Sequence, residues 1–207
     1  MSKIAKQTFA KQMSPFFPEE ALDYVYFYFN QHNFNLKISS PRLTKKGDFK
    51  FYPLLNRCPS ISINNDLCSY EFLLVYIHEL AHYYVFKKYS KTVKAHGKEW
   101  KEEYKKLLIN AIEQINFPDN IAVAFRNHLA KIKSSSSLDE ELMQVFDSYK
   151  STTIEEIMVK NLQIGDVFLF RNKTYQLDSF ARTRACCTLL KTQQKFLVNG
   201  IVKVKKV

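Results

Sequence analysis

The sequence predicts an α+β chain. Residues 1–150 are expected to hold helices and a small three-stranded sheet, and residues 151–207 a small, basic, β-barrel-like domain. Three observations carry that expectation. Long stretches of the first part repeat apolar residues at helical spacing, with only short alternating runs between them. From Ile164 onward the texture changes to short β-type runs separated by turn residues. The two parts divide near residues 134–152, a region that opens on a polar break of four consecutive serines, Ser134 to Ser137.

Ala5 to Met13 and Pro18 to His32 read as the first two helices. In the second, Pro18 suits a first-turn position and Glu19 and Glu20 suit the positive end of the helix dipole. The aromatics of DYVYFYF give it a wide apolar face. Phe34 to Ser39 alternates as a strand, Thr44 to Asp48 (TKKGD) is a turn, and Phe49 to Leu55 returns as a second strand. Ile61 to Asn64 is a short third strand, the expected edge for pairing with an extended peptide. Asn65 to Ser69 then offers capping residues for a helix over Tyr70 to Phe86. Further helices are expected over Lys98 to Gln114, Asn120 to Lys133 and Leu138 to Tyr149. In the second part, strands are expected over Gly165–Phe170, Lys173–Phe180, Arg184–Lys191, Lys195–Val198 and Ile201–Lys205.

The segment YEFLLVYIHELAHYYVF is apolar or aromatic nearly all round, the mark of a helix buried on most of its surface. Glu71, His78, Glu79 and His82 interrupt it, and the last three spell H-E-x-x-H. Residues four apart on a helix share a face about one turn apart, so both imidazoles can grip one Zn²⁺. Glu79 is rotated about 100° away, where it reaches a metal-bound water rather than the metal. Burying these groups without partners costs several kcal/mol, and one ion partners all three. His96, followed by Gly97, supplies a third ligand and leaves one coordination position open. Glu99, Glu102 and Glu103 are the competing third ligands, although they sit among lysines in the pattern of a solvated, salt-bridged face. Tyr83, Tyr84, His128 and Arg57 can donate to a developing oxyanion, whereas His32 and His128 suit ordinary half-buried histidines. The competing account of the motif is a pair of core histidines beside a glutamate in a structural ion pair.

Composition narrows the class. Lys and Arg number 31 against 20 Asp and Glu, a net charge of +11. The 17 Phe and 12 Tyr supply material for a real core. No apolar run approaches the roughly 18 residues of a membrane span, and MSKIAKQTFAKQM lacks the apolar core of a secretory signal. Cys58, Cys68, Cys186 and Cys187 show no C-x-x-C spacing. Reduced thiols in a cytoplasmic protein with no membrane partner are expected. Residues 151–207 hold 10 Lys and Arg against 4 Asp and Glu, so the tail has the denser positive charge. Arg171, Lys173, Arg182 and Arg184, interleaved with Phe168, Phe170, Tyr175 and Phe180, read as a nucleic-acid surface. The bland alternative is a solvated basic face with those aromatics turned to the core.

The run ISINNDLCSYEFLLVYIHELAHYYVFKKY, followed by KAHGKEW, resembles the SprT-like family. The TKKGD turn and the later FPDNIAVAFRNHLAKIKSSSSLDEELMQVF are similar to a bacterial branch of it, and the likeness spans roughly residues 18 to 150. The resemblance implies a zincin-like minimal metallopeptidase core over residues 1–150. By position it makes His78, His82 and His96 zinc ligands and Glu79 the catalytic base. It implies a protein substrate, with DNA as a further partner through proteins crosslinked to DNA. Many relatives carry a cysteine zinc ribbon after the core, and this chain has none, which leaves that binding role to the basic tail. Two other functions fit the same residues. One is a non-catalytic nucleic-acid-binding protein with structural zinc, against which no fourth Cys or His stands near the three. The other is a zinc hydrolase acting on a non-peptide bond, since water activation serves amides and esters alike.

Overall fold

A computed structural model describes residues 4–52, 57–90, 92–132, 139–150, 156–171 and 173–207. The chain splits into two compact units, Met1–Lys150 and Ser151–Val207.

The first unit is α+β. Helix α1 (Lys6–Met13) precedes a 3-10 turn at Glu19–Ala21 and helix α2 (Leu22–Gln31), so the helix expected over Pro18–His32 begins as a tighter turn. Strands β1 (Asn35–Ser39), β2 (Gly47–Tyr52) and β3 (Arg57–Asn64) form a sheet of order β1-β3-β2. β1 runs parallel to β3 and β2 antiparallel, with a register shift between Lys50 and Tyr52. This corrects the expected edge: Ile61–Asn64 is the buried middle of the sheet, already paired on both sides. Among the described residues β2 pairs on one side only. It also starts at Gly47, so the TKKGD turn runs into it, while residues 53–55 of the expected strand lie outside the described residues.

Helix α3 (Ser69–Tyr89) carries the H-E-x-x-H motif and is buried on almost every side, as its continuous apolar sequence demands. It packs against β2 and β3 on one side and against α4 (Lys98–Gln114) on the other. Tyrosines of α2 lock that bundle: Tyr24 donates to the Leu107 carbonyl at 2.8 Å and Tyr28 to Asn110 Oδ1 at 3.0 Å. Helices α5 (Asp119–Ala130) and α6 (Glu140–Ser148) complete the unit. The ends expected at Lys133 and Leu138, and the serine break, lie outside the described residues.

The second unit is one six-stranded antiparallel sheet. Its strands are β4 (Glu156–Met158), β5 (Val167–Phe170), β6 (Lys173–Phe180), β7 (Arg184–Leu189), β8 (Gln194–Asn199) and β9 (Lys203–Lys206), in the order β4-β9-β5-β6-β7-β8. Among the described residues the barrel expected from sequence is not closed: β4 and β8 are the two ends of the order and do not pair. A three-residue β4 offers few ladder groups, and β8 exposes every residue except Val198. The core lies on one face, where Phe168, Leu177, Cys187 and Val204 meet Val159 and Leu162 of a short turn. All four cysteines are free thiols; Cys187 is buried in this core, whereas its neighbour Cys186 is half-exposed. No helix among the described residues is long and apolar enough to cross a membrane.

Candidate metal centre

Helical spacing places His78 and His82 on one face of α3. The chain then leaves the helix at Ser90, whose φ of 52° turns it sharply, and returns through a loop bearing His96. Gly97 ends that loop, its N–H bonded to the Lys94 carbonyl at 3.0 Å, and α4 starts at the next residue. The three Nε2 atoms converge: His78 to His82 is 3.2 Å, His82 to His96 3.1 Å and His96 to His78 3.2 Å. Among the described residues this is the one group of three or more His, Cys, Asp or Glu side chains that could hold a metal ion. Desolvation keeps all three imidazoles neutral. It holds His78 well below its usual range, with help from the other two, moves His82 down to about 4 and lowers His96. Neutral imidazole is the form that binds a metal.

Two of the three competing third ligands pair with lysines. Glu103 pairs with Lys88 at 2.5 Å and Lys106 at 3.5 Å, and Glu102 with Lys98 at 3.9 Å. Glu99 is absent from the histidine group.

Trp100, fully buried, forms the floor of this triangle. Its ring lies 4.6 Å from that of His78, 5.4 Å from His82 and 4.8 Å from His96, centroid to centroid. Below it Tyr104 stacks at 4.9 Å and 11°. The Tyr104 hydroxyl meets His128 Nε2 at 3.0 Å, and His128 Nδ1 meets Asp139 Oδ2 at 2.9 Å. Asp139 also caps α6 by accepting from the Leu142 N–H at 3.4 Å. Asp139 accepts from His128 Nδ1–H, which leaves Nε2 facing the Tyr104 hydroxyl. A column of side chains thus braces the imidazoles from α4, α5 and α6. Trp100 and Tyr104 lie one turn of α4 apart, and that spacing is the signal in the sequence for this stack.

Glu79 is buried beside the histidines, 6 % exposed. Burial and the nearby Asp48 push its carboxyl up to about 8, against the pull of the Phe49 N–H, Arg42 and Lys45. A cation next door favours the carboxylate form. Gly47 explains how β2 comes so close. A Cβ there would lie 2.5 Å from Glu79 Oε1 and 2.6 Å from Val75 Cγ1, nearer than atoms can sit. The glycine is required by space, not by its backbone angles.

These groups line a cleft of about 960 Å³. Toward one end it is walled by Phe49, Phe51, Val85, Phe86 and Val93; elsewhere it is lined by Lys46, Glu71, Met143 and Lys150. Buried Glu71 is paired with Lys46 and lies 4.0 Å from Lys150. Arg42 ties the rim to β3 through Asn64 Oδ1 at 2.7 Å and Ser62 Oγ at 3.0 Å.

Three of the four proposed oxyanion donors do not reach the cleft. Tyr83 packs between Phe34 and Phe49, Tyr84 binds His32 Nε2 at 2.5 Å, and Arg57 opens β3 away from the cleft lining. His128 lines the cleft, but both its nitrogens are engaged.

The basic residues of the second unit do not form one cluster. Arg171 and Lys173 flank the turn before β6, while Arg182 and Arg184 flank the turn after it. An eight-residue strand separates the pairs by roughly 23 Å. Phe168 and Tyr175 are buried in the core and Phe170 packs against it; Phe180 alone of the four aromatics is exposed.

A three-histidine centre beside a buried glutamate on an α+β scaffold is an arrangement of metal-dependent hydrolases. The chain belongs to the SprT-like family, whose family model matches residues 7–118, a span that holds the whole histidine centre. That membership supports a metallopeptidase-type function. The match starts earlier than the resemblance suggested and stops at Pro118, so α5 and α6 lie beyond it. Comparison with curated proteins and with solved structures gave no match in either case.

Proposed function

We propose that this protein is a zinc-dependent metallopeptidase with a zincin-like core, in which His78, His82 and His96 hold the ion and Glu79 is the general base. The observation that carries the reading is the Nε2 triangle with edges of 3.1–3.2 Å, set beside a buried carboxylate. Three nitrogens at zinc-binding distance around a tetrahedral ion stand roughly 3.3–3.4 Å apart, so the triangle has the right size. The donor set leaves one position for water or substrate, which suits catalysis better than a closed structural site.

When bound, zinc supplies a Lewis acid that polarises the scissile carbonyl and acidifies water. The chain supplies the rest. Glu79 accepts a proton from the attacking water on a carboxylate oxygen and passes it to the departing amine, so the C–N bond breaks as the new C–O bond is kept. β2 pairs on one side only among the described residues, and its Gly47, Asp48, Phe49 and Phe51 line the cleft, which favours a peptide bound in extended form by main-chain pairing. That edge favours a peptide over a compact non-peptide ester.

Replacing Glu79 by Gln tests this. The near-isosteric amide keeps zinc and melting temperature but cannot take the proton. Casein cleavage is expected to fall by about 10²–10⁴-fold. Full activity in that variant would reject the reading.

The second unit serves, in this reading, to recruit nucleic acid that carries the protein substrate. Its excess of 10 basic over 4 acidic residues supports the role.

A further inference from the structure

We infer that the cleft contains a subsite for one apolar, preferentially aromatic, side chain of an extended peptide, formed by Phe49, Phe51, Val85, Phe86 and Val93. This deepens the peptidase reading, on which the identity of the occupant rests.

The subsite follows from how β2 lies along α3. Gly47 sits against Val75 and Glu79, Phe49 against Tyr83 and Phe86, and Phe51 against Phe86. Strand and helix therefore run in the same direction, and the groove between them leads away from the histidines. Phe86 is four residues beyond His82, so it shares that face about 6 Å further along the axis. An extended residue spans about 3.3 Å, which sets the subsite roughly two residues from the scissile bond.

The chemistry of this wall is uniform. Phe51 and Phe86 stack at 4.3 Å and 28°, with Phe49 5.8 Å from Phe86. Val85, itself buried, lines the same cleft. Phe49, Phe86 and Val93 remain half-buried while lining the cleft, so each keeps apolar surface available to a ligand. Apart from the histidines and Glu79, the charged lining residues lie around the start of β2 and of α3: Arg42, Lys45, Lys46 and Asp48 on one, Asp66 and Glu71 on the other, with Lys150 4.0 Å from Glu71. A charged side chain entering the aromatic wall would lose hydration with no partner, whereas an aromatic ring gains apolar burial and ring contacts.

The test separates binding from cleavage. Zinc-loaded full-length Glu79→Gln protein is titrated with fluorescein-labelled octapeptides that carry Phe, Leu, Gly, Asp or Lys at one central position. The Phe peptide is expected to bind roughly tenfold more tightly than the Gly or Asp peptide. Phe51→Ala and Phe86→Ala, each in the Glu79→Gln background, are expected to erase that difference with zinc content unchanged. Phe51→Leu and Phe86→Leu, which keep the packing, are expected to move the preference from aromatic to aliphatic. Mapping the bonds cut by wild-type protein should then place the apolar residue at one fixed position within three residues of the cut. Equal binding of all peptides, or a preference that survives both alanine variants, overturns the subsite. If the preference is present but wild type cuts no peptide, the subsite stands and the peptidase reading falls. Cleavage with no preference for the Phe peptide in binding or in position leaves the peptidase reading intact and removes the subsite.

Discussion

Two regions of this chain drew attention from their residue types, and folding treats them in opposite ways. In α3 and its following loop, His78, His82 and His96 come within 3.2 Å of one another, over a tryptophan floor. In the second unit, Arg171, Lys173, Arg182 and Arg184 lie closer together in sequence than the histidines do, yet occupy opposite ends of β6. The difference is geometric. Positions i and i+4 of a helix are neighbours by construction, whereas residues at the two ends of one strand are held a strand length apart. Nearness in sequence is a sound guide to a shared site only when the element between the residues folds back.

The sharpest break in the comparison is at Gly47, which belongs to the first region only through space. Gly47→Ala drives a methyl group into Glu79 and Val75. It should cost about 1–3 kcal/mol of stability by overpacking. It should also lower cleavage by at least tenfold as Glu79 is displaced, with zinc content kept. Melting curves, elemental analysis and rates on one preparation check this; an unchanged rate would show that Glu79 tolerates displacement.

A smaller effect is expected one layer down. Tyr104→Phe removes the hydroxyl that His128 Nε2 meets and leaves that nitrogen buried without its partner. A loss of about 1–3 kcal/mol is expected. The Trp100 stack should survive, so zinc occupancy stays near that of wild type. Urea denaturation and metal analysis read the two separately.

The smallest effects belong to the second region. If the ends of β6 act independently, Arg171→Glu with Lys173→Glu and Arg182→Glu with Arg184→Glu should each weaken DNA binding partially, and the four changes together additively. The logarithmic salt dependence should flatten by about 1–2 for each pair. Fluorescence anisotropy against salt decides it. One pair carrying the whole effect would mean that a single turn is the contact, and no effect from either would remove these residues from nucleic-acid binding.

How much of this was legible depends on the range of the forces involved. The bounds of α4 match the expectation at both residues, because a charged face and an apolar face alternate cleanly from Lys98 to Gln114. The meeting of His78 and His82 was legible because positions i and i+4 of one helix share a face. Gly47 read as a turn glycine, since nothing in the sequence says that β2 passes within touching distance of Glu79. The middle position of β3 was missed because strand order follows from tertiary pairing, and a strand paired on both sides looks locally like an edge. Barrel closure failed similarly: it turns on whether β4 meets β8, and a three-residue strand is too short to show alternation.

The central claim is that three histidines form one metal site, and elemental analysis tests it most directly. Purified wild-type protein should carry about one zinc per chain. His78→Ala, His82→Ala and His96→Ala should each lose most of it, with His96→Ala the decisive case because that residue comes from outside α3. Full zinc occupancy in His96→Ala would contradict the account and require a different third ligand.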